Sequence, residues 1–312
     1  MTRPIGFSEI LSLNYYTKEA DSMDGSWGIT DRYPTDIPGL NDYLGGGIGK
    51  DNSFEIVVLH GSSGVGKSTV AMEMLRKSVK DGVPQAWMIL EDSLPDVNAR
   101  FRRMFPSKEE GDKAISQEVE LNINGAKTKI ANPMLLSTQM LDSGYTLDDI
   151  KAWIKERLDW GVQLFLLDHL QFTFDAAKGL IDNEAQRTFL QDIAQLFKKY
   201  KATLVAVSHR NKNRFNQGNE QIYGTGAIEQ VATKVISIDR IPMPGSNRDD
   251  YKMVPDYIKL QLTKNRNGRD HKDRPIYLHR IPDTAPLNNE WVQFGFDKAV
   301  DDYTSDYTFS IV

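Results

Sequence analysis

The sequence predicts an α/β fold: a mostly parallel sheet flanked by helices, with antiparallel strands extending it at the C-terminal side. Three observations carry this. Short, almost wholly apolar runs recur at residues 54–60, 86–90, 163–167, 202–208 and 235–239, as strands buried on both faces require. Amphipathic helical stretches fall between them, and such alternation favours parallel pairing through right-handed crossovers. Beyond residue 256 the runs 257–262 and 275–280 read as antiparallel strands.

Taken in order, residues 1–50 form an arm with a short helix-like stretch at 7–13. It continues through Tyr33-Pro-Thr-Asp-Ile-Pro-Gly39 and the glycine run Gly45-Gly-Gly-Ile-Gly49, a turn-rich segment. The core spans 51–296. Its first helix begins at the glycine-rich loop before Thr69 and runs to about residue 79. A second covers 146–160, where Leu147, Ile150, Ile154 and Leu158 share a face and Thr146 with Asp149 resembles a capping box. A third spans about 184–200, with Phe189, Ile193, Leu196, Phe197 and Tyr200 on one side. Residues 297–312 form an acidic, aromatic tail (Asp301, Asp302, Tyr303, Asp306, Tyr307, Phe309), which reads either as a frayed end or as a docking segment.

Composition removes whole classes of chemistry. Among 312 residues there is no cysteine, which excludes disulfides, thiolate zinc sites, iron–sulfur clusters and a cysteine nucleophile. With 38 Lys and Arg against 43 Asp and Glu, the net charge of −5 lacks the basic excess of a DNA-coating protein, so any nucleic-acid site must be local. No run approaches the ~18 apolar residues of a membrane span, so the sequence predicts a soluble, cytoplasmic protein with no membrane partner.

The most specific motif is Gly61-Ser62-Ser63-Gly64-Val65-Gly66-Lys67-Ser68, followed by Thr69, which fits G-x-x-x-x-G-K-[ST] between a strand and a helix. In such a loop, backbone N–H groups and the helix N-terminus receive phosphate oxygens. Lys67 would then neutralise β/γ oxygens and Ser68 would ligate Mg²⁺. Hydrolysis also needs a metal-shell carboxylate and a group to orient water. Asp168, ending the strand Leu164-Phe-Leu-Leu-Asp168, is the Walker B candidate. Glu91, just past the 86–90 strand, is the candidate base, and Asp92 beside it competes for that role. His209 stands where a γ-phosphate could be sensed. Arg210, Lys212 and Arg214 alternate in the loop that follows, either as a solvated surface or as a backbone-phosphate contact. Residues 259–274 hold a second basic cluster including Lys264 and Arg266, which suits an arginine finger reaching a neighbour's nucleotide.

Together and in this order, these motifs resemble the RecA-like hexameric replicative helicases: the bacterial DnaB type and the helicase half of phage primase-helicases. The resemblance covers about residues 33–282. Tyr33–Gly47 is similar to the family's lead-in segment, Leu90-Glu91-Asp-Ser to its catalytic-glutamate motif, and Leu167-Asp168-His-Leu to its Walker B strand. Ser208-His209 is similar to its phosphate-sensing segment, Tyr223-Gly224-Thr-Gly226-Ala-Ile-Glu-Gln-Val-Ala to its channel loop, and Lys264-Asn-Arg266-Asn-Gly to its trans-acting finger.

The resemblance implies a RecA-like P-loop core that hydrolyses ATP, dTTP or another NTP with Mg²⁺. Lys67, Ser68, Glu91, Asp168 and His209 would form the cis half of the site, and Arg266 with Lys264 the trans half in a homohexamer. It also implies single-stranded DNA held by Arg210, Lys212, Arg214, Gly224 and Gly226, with residues 176–183 facing the same channel. About 50 residues precede the core and no cysteine can build a zinc ribbon, so any primase is expected to be a separate protein. A phage source would place the protein in the host cytoplasm, with the acidic tail a candidate dock for DNA polymerase. Tyr277 and Arg280 are candidates to pack the nucleotide base. A RecA- or KaiC-like ATPase, as a strand-exchange filament or regulatory ring, remains the alternative, and a nucleotide-gated scaffold is a third reading.

Overall fold

The computed structural model describes residues 32–49, 54–136, 145–175, 183–209, 227–242, 253–266, 274–282 and 289–294. A short helix α1 (Leu40–Leu44) leads to strand β1 (Glu55–Gly61), helix α2 (Lys67–Lys80) and strand β2 (Gln85–Ile89). Next come α3 (Leu94–Arg102), α4 (Lys108–Ile115), the hairpin β3 (Glu118–Ile123) and β4 (Ala126–Ala131), and β5 (Met134–Leu136). Then follow α5 (Leu147–Asp159), β6 (Leu164–Asp168), α6 (Leu170–Asp175), α7 (Asn183–Tyr200) and β7 (Thr203–His209). The chain continues through α8 (Ala227–Val231), β8 (Lys234–Pro242), β9 (Met253–Asn265), β10 (Ile276–Pro282) and β11 (Asn289–Phe294).

The main sheet has the order β11-β10-β9-β8-β1-β7-β6-β2-β5. From β8 to β5 every pairing is parallel, whereas β8–β9, β9–β10 and β10–β11 are antiparallel. This is the predicted mostly parallel sheet with its antiparallel extension. Two strand ends fall one residue later than expected. Asp168 and His209 stay in the ladder because Ile89 and Gly61 lie opposite them.

Alternation along the strands fills both faces of the sheet. Val57 and Leu59 of β1, Leu164 and Leu166 of β6, and Val205 and Val207 of β7 join α2 and α3 in one core. Their neighbours Ile56, Val58, Phe165, Leu167, Leu204 and Ala206 join α5 and α7 in the other. α5 starts where the sequence places it: Thr146 Oγ1 accepts from Asp149 N (3.2 Å) while Asp149 Oδ2 accepts from Thr146 N (2.7 Å), a reciprocal capping box. Ile150, Ile154 and Leu158 are its buried stripe. On α7, Phe197 meets Phe165 edge-on at 5.0 Å, a geometry the ring quadrupoles favour.

A buried charge cluster fastens residues 32–49 to the sheet. Glu55, 1% exposed at the start of β1, accepts from Arg32 Nη2 (3.0 Å), Gly49 N (2.7 Å) and Lys234 Nζ of neighbouring β8. Burial and, second to it, the Arg32 guanidinium lower the Lys234 ammonium to about 7. No helix among the described residues is long and apolar enough to cross a membrane.

Candidate functional site

Parallel strands that leave the sheet side by side deliver their next residues to one edge, and the order β1-β7-β6-β2 fixes which residues meet there. β1 ends at Gly61, where a Cβ would stand 2.3 Å from Ile238 O of β8, so only glycine lets the two strands run this close into the loop. Gly66 begins α2 in the left-handed region (φ 94°), and no side chain caps the helix. Its first N–H groups therefore face the loop, and with the helix dipole they make an anion site. Lys67, 5% exposed, crosses the loop and donates from Nζ to Ser62 O (2.9 Å). From β8, Arg240 Nη2 donates to Gly64 O (3.0 Å) and braces the loop's tip. Ser63, Val65 and Thr69 complete the segment, Val65 buried and Ser63 exposed.

Next along the edge, His209 Nδ1 lies 3.2 Å from Lys67 Nζ. β6 then presents Asp168, 2% exposed, with the Ser68 hydroxyl bonded to its carboxyl. Burial raises this carboxyl to about 6, against the opposing effect of Ser68. Its Oδ1 is buried with no hydrogen-bond partner among the described residues. A buried carboxylate oxygen without a donor, next to a serine hydroxyl, fits a hard oxygen-seeking cation such as Mg²⁺.

β2 comes last. Asp92 pairs with Arg100 Nη1 of α3 (2.6 Å), whereas Glu91 turns the other way, its Oε2 3.0 Å from His169 Nε2. The His169 ring meets His209 edge-on at 4.3 Å. One candidate ligand atom from each of Glu91, His169 and His209 falls within 4.8 Å of the others, close enough for a metal ion. The Lys67 ammonium beside His209 opposes a second cation there.

The structure thus gathers Lys67, Ser68, Asp168, His209 and Glu91 at one edge. It leaves Lys264 and Arg266 elsewhere. Lys264 Nζ donates to Glu229 O and Arg266 Nη2 to Gln230 O, carbonyls near the end of α8, and Arg266 N donates to Thr233 O (2.8 Å). β9 runs antiparallel to β8, so Asn265 faces Lys234, which pairs with Val57 of β1. From there to Gly61 is four residues of strand, about 13 Å. Burial and the neighbouring Arg266 both lower the Lys264 ammonium. Tyr277 sits beside Tyr43, whose hydroxyl is pushed up to about 12 chiefly by burial. Arg210, Lys212, Arg214, Gly224 and Gly226 lie outside the described residues, as do the helix-like stretch 7–13, residues 176–182 and the tail. Sequence reasoning missed His169 and Arg240. The only local signal for either was a polar residue at a strand end.

A strand–loop–helix cradle for phosphate, a buried acid on the second strand along and a mostly parallel sheet define a P-loop nucleotide-binding protein with a RecA-like core. The AAA domain family matches residues 29–214, over half of the sequence, and the chain belongs to that family. Among curated proteins, a UPF0273 protein of Aeropyrum pernix is 24% identical over 212 residues, which cover 68% of this chain and 79% of that one. Among solved structures, an isolated ATPase domain superposes with a TM-score of 0.62 at 15% identity, covering 93% of this chain and 100% of that one. A DnaB-like replicative helicase, solved in a study of its interactions with primase, gives 0.60 at 16% identity, over 88% of this chain and 68% of that one. The KaiC-like protein PH0186 of Pyrococcus horikoshii gives 0.58 at 16% identity, over 85% and 99%.

Proposed function

We propose that the chain is an ATP-driven replicative DNA helicase working as a ring-shaped homohexamer, which translocates on one DNA strand and excludes the other. The observation that carries this reading is the division of the charged residues. Lys67, Ser68, Asp168, His209 and Glu91 assemble at one edge of the sheet, whereas Lys264 and Arg266 lie beside the other end of β1. A finger that cannot serve its own site is of use to a neighbour's, and a closed ring gives every site such a neighbour.

In this reading the loop N–H groups and Lys67 take the nucleotide phosphates, Ser68 and Asp168 hold Mg²⁺, and Glu91 accepts the proton of the attacking water. When bound, the ion neutralises charge on the β/γ oxygens. His209, at Lys67, senses whether a γ-phosphate is present. Arg210, Lys212 and Arg214, with the loop around Gly224 and Gly226, grip the backbone of single-stranded DNA with little base readout. The acidic tail docks on a DNA polymerase.

Lys67→Ala and Arg266→Ala test the assignment by DNA-stimulated ATPase. Lys67→Ala should lose turnover, and Arg266→Ala should lose about 10³–10⁵-fold, as arginine fingers do. Full activity in Arg266→Ala would remove the trans role. Strand separation on a forked DNA tests the helicase step. The likeness to a KaiC-like protein over nearly its whole length favours, as a second reading, a RecA/KaiC-like DNA-dependent ATPase. ATP hydrolysis without strand separation would select that reading.

A further inference from the structure

We propose that His169 is a positioning residue that aims Glu91, a role that rests on the ATPase reading above. Glu91 alone is poorly placed to act as a base. It stands just past the end of β2 with its side chain 56% exposed, where a glutamate samples several rotamers and loses rate in proportion. A base must be held near one geometry, and the group in reach is the His169 imidazole, with Nε2 at 3.0 Å from Glu91 Oε2.

His169 is itself fixed. Its side chain is 9% exposed, and its carbonyl accepts from both Thr173 N (3.2 Å) and Thr173 Oγ1 (3.3 Å) in the first turn of α6. Its ring packs against His209 at 88°. Because Nε2 faces a carboxylate, Nε2 carries the hydrogen and donates it. That bond occupies Oε2 and leaves Oε1 for the attacking water. The contacts run Lys67–His209–His169–Glu91 in the spatial order β1-β7-β6-β2, one group per strand end. The imidazole therefore joins the phosphate-facing lysine to the base, and a phosphate that draws Lys67 away from His209 is felt at Glu91 through two rings.

The test uses His169→Phe, which fills the volume without a donor, and His169→Gln, whose amide N–H reaches about as far as Nε2. Each is made in the wild-type and the Glu91→Gln backgrounds. His169→Phe should lower kcat about 10- to 100-fold, as lost orienting partners do, with KM and the Kd for a fluorescent ADP analogue unchanged within about twofold. His169→Gln should recover most of that loss. In the Glu91→Gln background His169→Phe should change the residual rate less than about twofold. An equal loss in both backgrounds, a raised KM with intact kcat, or no rescue by glutamine would overturn the proposal. If the wild-type protein hydrolyses no nucleotide, the ATPase reading fails, and imidazole ¹H–¹⁵N spectra of the nucleotide-free protein still decide the contact. The His169 Nε2–H resonance should shift in Glu91→Gln, and an unmoved resonance would refute the pairing.

Discussion

Glu55→Leu should cost the fold about 3–5 kcal/mol, the range for removing one partner of a buried ion pair. The structure supplies the reasons. The carboxylate is 1% exposed, and Arg32, Lys234 and the Gly49 N–H all converge on it. Leucine roughly matches its volume, so no cavity term is added; the cost comes from donors left without an acceptor. For a domain of this size each kcal/mol is worth about 2–4 °C, so thermal unfolding should fall by roughly 6–20 °C, and urea titrations at pH 7 should show the same loss. Lys234→Met added to Glu55→Leu should restore at least about half of it, because an apolar pair needs no partners.

The same cluster sets a pH dependence. Lys234 titrates at about 7 in the folded chain, pushed down from 10.5 first by burial and then by Arg32. Between those values the unfolded chain binds a proton that the folded chain has released, so this residue makes stability rise with pH from about 7 towards about 10.5. Lys234→Met should flatten that rise. A single-variant cost under about 1 kcal/mol, a double variant no better than the single, or an unchanged pH slope in Lys234→Met would each refute the reasoning.

Two further outcomes follow from the site and the core. Asp168→Asn should bind a fluorescent nucleotide without Mg²⁺ within about threefold of wild type, yet lose at least about 100-fold of Mg²⁺-dependent turnover in a phosphate-release assay, because the orphaned Oδ1 is the oxygen a cation needs. Phe197→Ala should destabilise by about 3–5 kcal/mol in urea unfolding, since the ring is fully buried against Phe165.

The sheet was legible because its central strands are buried on both faces, so their apolar runs stand out without help from neighbours. The phosphate loop and Asp168 were legible because their spacing and position on a strand are local facts. What escaped depends on which strands lie side by side. His169 reads as a residue leaving β6 until β7 and β2 are seen to flank that strand, and Arg240 acquires a role only because β8 runs beside β1. Asp92 was separable from Glu91 only once Arg100 on α3 had claimed its carboxylate. The hairpin of β3 and β4 was missed for another reason. Glu118, Glu120, Lys127 and Lys129 make it look like a solvated stretch, although Asn124-Gly125 between alternating residues is a strong turn signal.

That hairpin offers an experimental handle. Asn124 (φ 52°) and Gly125 (φ 84°) form its exposed tip, and Asn132 N donating to Gln117 O (2.8 Å) closes its base. Asn132 also pins the base to β2, through Gln85 N to its Oδ1 (2.8 Å). The chain leaves the body and returns at nearly one point, so a fluorescent reporter spliced between Asn124 and Gly125 would ride outside the main sheet without parting its strands. Counting bleaching steps on particles carrying that reporter would give the number of copies in each assembly on DNA.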